Sequence, residues 1–424
     1  MHQIANKNKN SSDKDTSAEC TISRTLSLYR ACMINLWLIF VIALIPVANV
    51  DANQRDQLKR IHDRLTGVPP SQVVLDAMLN AGTLEDAADI AMQNPNFYNV
   101  TLKNFATPWT NEAQTVFAEL NDYTATVIGM IRDNKDFRQI LYGDILYTGN
   151  ISPGYANNSN QHYAEIEKQN LDLSQTANLA ERVQSVITGL PADATAGVMT
   201  SRAAARAFFI DGTNRAMFRF TVLNHLCYDM EQIKDNTRPA DRIRQDVSRS
   251  PGGDSRLFLN NCLGCHAGMD PMVQAFANYE WGYKDIDPDN PDVGRLLYTP
   301  GVVQDKYHIN ASNFKGGYFT PDSGWTNYWR HGPNAWLKWG DSPQQMVTVD
   351  SKGISSGVGA KSLGEELAHS EAFARCQVKK VFKAVCLRAP DADDTSFEGM
   401  VTAFKTNFNM KQAFGRAAVY CRGN

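Results

Sequence analysis

Cys262-Leu263-Gly264-Cys265-His266 places two thiols three positions apart with an imidazole directly after the second. Three chemistries use such a set. The thiols can exchange a disulfide, bind zinc together with a second ligand pair, or add to the two vinyl groups of a porphyrin. In the third case the adjacent imidazole falls under the iron, and this spacing is the attachment signature of a c-type haem. A redox dithiol is expected beside a βαβ pattern, which is missing from the sequence. Zinc would need a second pair of similar spacing, and Cys376 and Cys386 stand too far apart to be one. The motif therefore reads as one covalent haem c, carried by Cys262 and Cys265, with His266 as axial iron ligand.

The motif needs a rigid element and a partner across the ring. It opens a predicted helix from Leu257 onward. For the sixth iron position, Met269 is too close to His266 in sequence to reach the other face, and Met272 is barely better placed. His308, His331, His369 and Met346 remain. Met346 follows Pro343 in a predicted loop, where a side chain can be aimed without disturbing a helix, so Met346 is the expected second metal ligand and His308 the runner-up. No catalytic residue is assigned.

The surrounding chain resembles a family. Asp254-Ser-Arg-Leu-Phe-Leu-Asn-Asn-Cys-Leu-Gly-Cys-His-Ala-Gly-Met-Asp-Pro-Met and Ala275-Phe276-Ala277-Asn278-Tyr279 resemble the Planctomycete-type cytochrome c family, exported monohaem proteins with Met-Asp-Pro after the haem motif. Leu367-Ala-His-Ser-Glu-Ala-Phe-Ala-Arg-Cys-Gln-Val-Lys-Lys-Val-Phe is similar to its C-terminal helical module. The likeness spans residues 250–420 and, more faintly, the helical part from residue 65. It implies Cys262 and Cys265 as thioether carriers, His266 as axial ligand, and electron transfer with no agreed substrate.

The chain has 424 residues, 43% hydrophobic and 21% charged, enough for a real core and too polar for a polytopic membrane protein. With 42 basic and 45 acidic residues the net charge is −3, which gives no electrostatic case for nucleic-acid binding. Arg24 and Arg30 precede an apolar run from Met33 to Val47, closed by Pro46 and followed by Val50-Asp51-Ala52. The run is about 15 residues against roughly 20 for a spanning helix. It reads as an export signal with a polar leader over residues 1–52, which places the protein in the bacterial periplasm or cell envelope. Membrane association would follow only if that segment stayed uncleaved.

The fold class expected is mainly α: a helical domain over 53–248 and a c-type haem domain with a C-terminal helical module over 249–424. Ser71 caps a helix over Gln72–Asn80 with Val73, Val74, Ala77 and Met78 on one face, and Thr83 opens Leu84–Gln93. Thr110 caps a long helix holding Val116, Phe117 and the apolar positions to Ile131, and Lys135–Tyr147 continues as helix. Ala196–Phe209 and Asn214–Ile233 follow, the latter with a core histidine at His225. Residues 234–256 read as a linker whose arginines and aspartates form a solvated, mutually paired face, unless one arginine meets a haem propionate. Trp325, Trp329, Trp336 and Trp339 read as core aromatics of two short helices.

Gly353-Ile-Ser355-Ser-Gly357 fits a serine-hydrolase elbow, but its sheet is missing and His369 follows too soon. Gly357-Val-Gly-Ala-Lys361-Ser362 breaks the phosphate-loop pattern at Ala360. Four cysteines remain for disulfides. Cys376 and Cys386 lie about 15 Å apart on one helix, and the two helices after them return Cys421 to Cys386. Cys386–Cys421 is the expected bond, leaving Cys227 and Cys376 paired or free. The expected function is electron transfer between redox partner proteins; a peroxidase- or oxidase-type haem enzyme and a non-catalytic envelope scaffold are the alternatives.

Overall fold

Local capping sets where the first helices start. In the computed structural model, which describes residues 54–210 and 212–423, the Ser71 hydroxyl accepts from Val74 N and the Thr83 hydroxyl from Asp86 N. They open α2 (Gln72–Leu79) and α3 (Leu84–Ala91), after α1 (Gln54–Thr66). The apolar face of α2 is narrower than its sequence suggests: Met78 is buried, but Val73 is 79% exposed. The expected leader over 1–52 lies outside the described residues. Among those described, no helix is long and apolar enough to cross a membrane.

The next helix starts later than Thr110. Asn121 caps α4 (Asp122–Arg132), accepting from Thr124 N, and Phe117 in the preceding segment is 93% exposed. Val116 and Phe117 find no packing partner in the core, so helical periodicity alone does not make a helix there. Lys135–Tyr147 is not a continuous helix either. A short turn over Phe137–Ile140 leads into β1 (Ile145–Thr148), which pairs antiparallel with β2 (Ala180–Val183). Between them lies α5 (Gln161–Lys168). Then come α6 (Arg202–Phe208), capped by Ser201, and α7 (Arg215–His225), with His225 buried as expected.

The motif region is one helical run with a wide turn: residues 255–257 are α-helical, Phe258–Cys262 form a π-turn, and α8 (Leu263–Val273) follows. Beyond it, β3 (Tyr279–Gly282) pairs with β4 (Arg295–Tyr298), and β5 (Gly324–Asn327), β6 (Val347–Val349) and β7 (Ser355–Val358) form a sheet in the order β5-β7-β6. Trp325 lies on β5 rather than on a helix, and Trp329 on a short turn after it; both are buried, while Trp336 is 45% exposed. The chain ends in α9 (Gly359–Ala368), α10 (Glu371–Cys386), α11 (Thr395–Phe404) and α12 (Met410–Tyr420).

About 49% of the residues are helical against a few short strands, so the fold is mainly α. The main core draws on both sides of residue 248, from Leu58 to Ala418. Helix α12 packs on α1 and α3, α7 on α8 and α10, and the described residues fall within one compact unit. Two disulfides tie it: Cys227–Cys376, joining the end of α7 to α10, and Cys386–Cys421, at the sequence position expected.

Candidate haem-attachment site

Cys262 and Cys265 are the free cysteines among the described residues, and both are half-buried. Cys262 and Leu263 pack on a small apolar cluster of Ile243, Val247, Phe258, Ala267 and Phe314. Cys265 packs on the main core and lies 3.6 Å from Met230 O. The motif thus sits on a seam between two apolar clusters. The start of the 234–256 stretch, which reads as linker, holds it from outside: Asp235 N donates to Gly264 O at 2.9 Å, and the Asn236 carboxamide stands where a Cβ on Gly264 would go.

The second thiol of the motif is held in its protonated form. Burial first, and then Glu231, pushes the Cys265 thiol up to about 11, and the βαβ setting of an exchanging dithiol is missing among the described residues. The strands belong to small antiparallel sheets. Nor is a zinc site assembled, because no cluster of three or more His, Cys, Asp and Glu suited to a metal is present among the described residues.

His266 is positioned by its own helix. Its Nδ1 lies 3.1 Å from both carboxylate oxygens of Asp270, one turn along α8. Nε2 has no hydrogen-bond partner among the described residues and is the nitrogen left for a metal. Asp270 is fully buried and is gripped by Arg215, Nε to Oδ1 at 2.7 Å and Nη2 to Oδ2 at 3.1 Å. Burial opposes ionisation of this carboxyl, but Arg215 and then His266 outweigh it and hold its pKa well below the usual range. Arg215 also grips Asp246, and Asp246 pairs with Arg244, whose side chain is 0% exposed. The linker arginines and aspartates are therefore not one solvated face. Asp254–Arg256 is exposed as expected, but Arg244 and Asp246 are withdrawn into the protein. Sequence reading missed this group because its partners lie far apart along the chain; the Asp270 position four residues after His266 was its one local signal.

The other expected residues are dispersed. Met346 precedes β6, on the side of the sheet away from β5, the strand that packs on α8. It lines a cavity of about 360 Å³ with Asp193, Thr348, Ser356, Lys361 and others, and no motif residue lines that cavity. His308 lies stacked on Phe319, ring centres 4.4 Å apart, with Nδ1 buried and without a hydrogen-bond partner. Its segment does reach the motif's surroundings: Asn310 Nδ2 donates to Asp246 O at 2.7 Å and Phe314 belongs to the cluster under Cys262. His369 Nδ1 lies 2.8 Å from Glu365 O on its own helix. No family model, curated protein or solved structure matches this chain. The site is therefore read from its own chemistry.

The two look-alike motifs dissolve in the structure. Ser355 is buried on β7, and its hydroxyl donates to Glu366 Oε1 at 2.6 Å, so it presents no nucleophile. Lys361 Nζ donates to Ala192 O at 2.5 Å.

Proposed function

We propose that this protein is an exported monohaem c-type cytochrome that passes electrons between redox partner proteins. The observation that carries the reading is the motif's setting: two free thiols and an imidazole on consecutive helical turns at a seam between apolar clusters, while four other cysteines are consumed in disulfides. The thiols fit the thioether role because both are unpaired and partly accessible; His266 fits the axial role because Asp270 occupies Nδ1 and leaves Nε2. When bound, a covalent haem supplies a one-electron ferric/ferrous couple. The chain's part is to hold the thiols at that spacing, to fix the imidazole and to keep one side of the site dry. Leu257 and Leu259, each about half exposed beside the motif, offer further apolar surface for a macrocycle edge.

The disulfides support an oxidising compartment, which agrees with an export signal over 1–52 and a periplasmic or envelope location. The resemblance to the Planctomycete-type cytochrome c family belongs to the same proposal. The test is a haem stain after denaturing electrophoresis, with a reduced-minus-oxidised visible spectrum, on protein made in a host that matures c-type cytochromes. Covalent haem lost on Cys262→Ser with Cys265→Ser supports the reading; a wild-type chain without haem overturns it. A five-coordinate, high-spin spectrum would favour the peroxidase- or oxidase-type alternative over the carrier.

A further inference from the structure

Four side chains of alternating charge, three of them buried and Arg215 partly so, run from the axial histidine into the protein. His266 Nδ1 meets Asp270 at 3.1 Å, and Arg215 meets Asp270 and Asp246 through paired contacts of 2.7 to 3.1 Å. Asp246 in turn pairs with Arg244, whose guanidinium lies 4.1 Å from the centre of the Tyr307 ring. The Tyr307 hydroxyl donates to Val273 O at 3.2 Å, which returns the chain of contacts to α8, the helix that bears His266. Asp270, Asp246 and Arg244 are fully withdrawn from solvent at their side chains. A buried charge is costly unless paired, and each member of this group is.

Resting on the haem reading above, we infer that Asp270 is a positioning residue for the axial ligand, and that Arg215, Asp246 and Arg244 exist to hold it there. A carboxylate acceptor keeps the Nδ1 proton on His266, so the tautomer with Nε2 free is the one presented to iron. It also makes the imidazole a stronger electron donor than a neutral backbone carbonyl would, which stabilises ferric over ferrous iron. The group would thus set a lower reduction potential, with the electron itself coming from a reduced partner protein. Two aspartates and two arginines balance in charge, so the device adds no net charge to the core.

The test is equilibrium redox titration of the haem-loaded full chain and of Asp270→Asn. The variant should keep its haem and shift the ferric/ferrous balance toward ferrous by at least tenfold, which is about 59 mV for one electron. A haem-loaded variant with its balance moved less than threefold overturns the inference and leaves the haem reading intact. Should Asp270→Asn fail to fold, Asp270→Glu keeps the charge facing Arg215 but displaces the acceptor by a methylene. The paramagnetically shifted NMR resonances of the His266 ring should then move, and unmoved resonances overturn the inference. A wild-type chain with no haem overturns the parent reading, and this one with it.

Discussion

The indole Nε1 of Trp329 presses against the backbone of Gly268, two residues after His266, and leaves no room for a Cβ there. Trp329 is fully buried between the motif helix and Phe218, so it cannot swing away. Gly268→Ala is expected to force a shift costing about 1–3 kcal/mol. Urea unfolding followed by tryptophan fluorescence measures it, and an unchanged midpoint would contradict the close approach.

The two disulfides should differ in worth. Cys386–Cys421 closes 35 residues and Cys227–Cys376 closes 149. On chain-entropy grounds the shorter contributes about 4 kcal/mol and the longer about 5 at most. Cys227→Ser with Cys376→Ser should lower the thermal midpoint more than Cys386→Ser with Cys421→Ser. Non-reducing peptide mapping checks the pairing itself; a free Cys421 would contradict it.

His225 and His62 predict acid sensitivity. His225 is buried, its Nε2 2.7 Å from the Tyr123 hydroxyl, and burial first and then Lys380 hold its pKa well below 6.5. His62 is lowered mainly by burial, against Val68 O and Asp63. The unfolded chain therefore binds more protons below about pH 6.5, so stability is full above that value and falls as pH drops toward the folded pKa values. Each histidine contributes a slope of up to about 1.4 kcal/mol per pH unit. Urea midpoints at pH 7.5, 6.5 and 5.5 should decline, and His225→Phe should flatten the decline. A pH-independent wild type would refute the assignment.

On the proposed haem reading, the sixth ligand is decided by comparing two variants in the haem-loaded protein. Sulfur ligation by Met346 gives the weak near-infrared band of thioether-bound ferric iron, lost in Met346→Ala with the haem still attached. Met346 lines a cavity with Lys361 and Asp193, whereas Phe314, six residues after His308, belongs to the cluster under Cys262. On that placement His308→Ala is the substitution expected to change the spectrum, and Met346→Ala the one expected to leave it unchanged. Loss of a near-infrared band on Met346→Ala would reverse the order.

Short-range physics was legible in the sequence. A hydroxyl three residues before an amide is enough to start a helix, so Ser71 and Thr83 marked their helices correctly. A two-residue gap between thiols needs only one turn, so the sequence already put Cys262, Cys265 and His266 together on one helical run. The Cys386–Cys421 bond followed from the helices after α10 folding back, which short loops enforce. Tertiary structure alone decided the rest. Ile145–Thr148 is a strand because its partner, Ala180–Val183, arrives about thirty-five residues later, and Asn121 rather than Thr110 caps α4 because Phe117 finds no core to enter. Arg244 and Asp246 read as part of a solvated linker face, and nothing local ties Arg215 or Asp270 to them. They become a buried support for His266 only once helices α7 and α8 pack and bring a guanidinium 55 residues away onto the carboxylate, because ion pairing depends on distance in space and burial, neither of which is local in sequence.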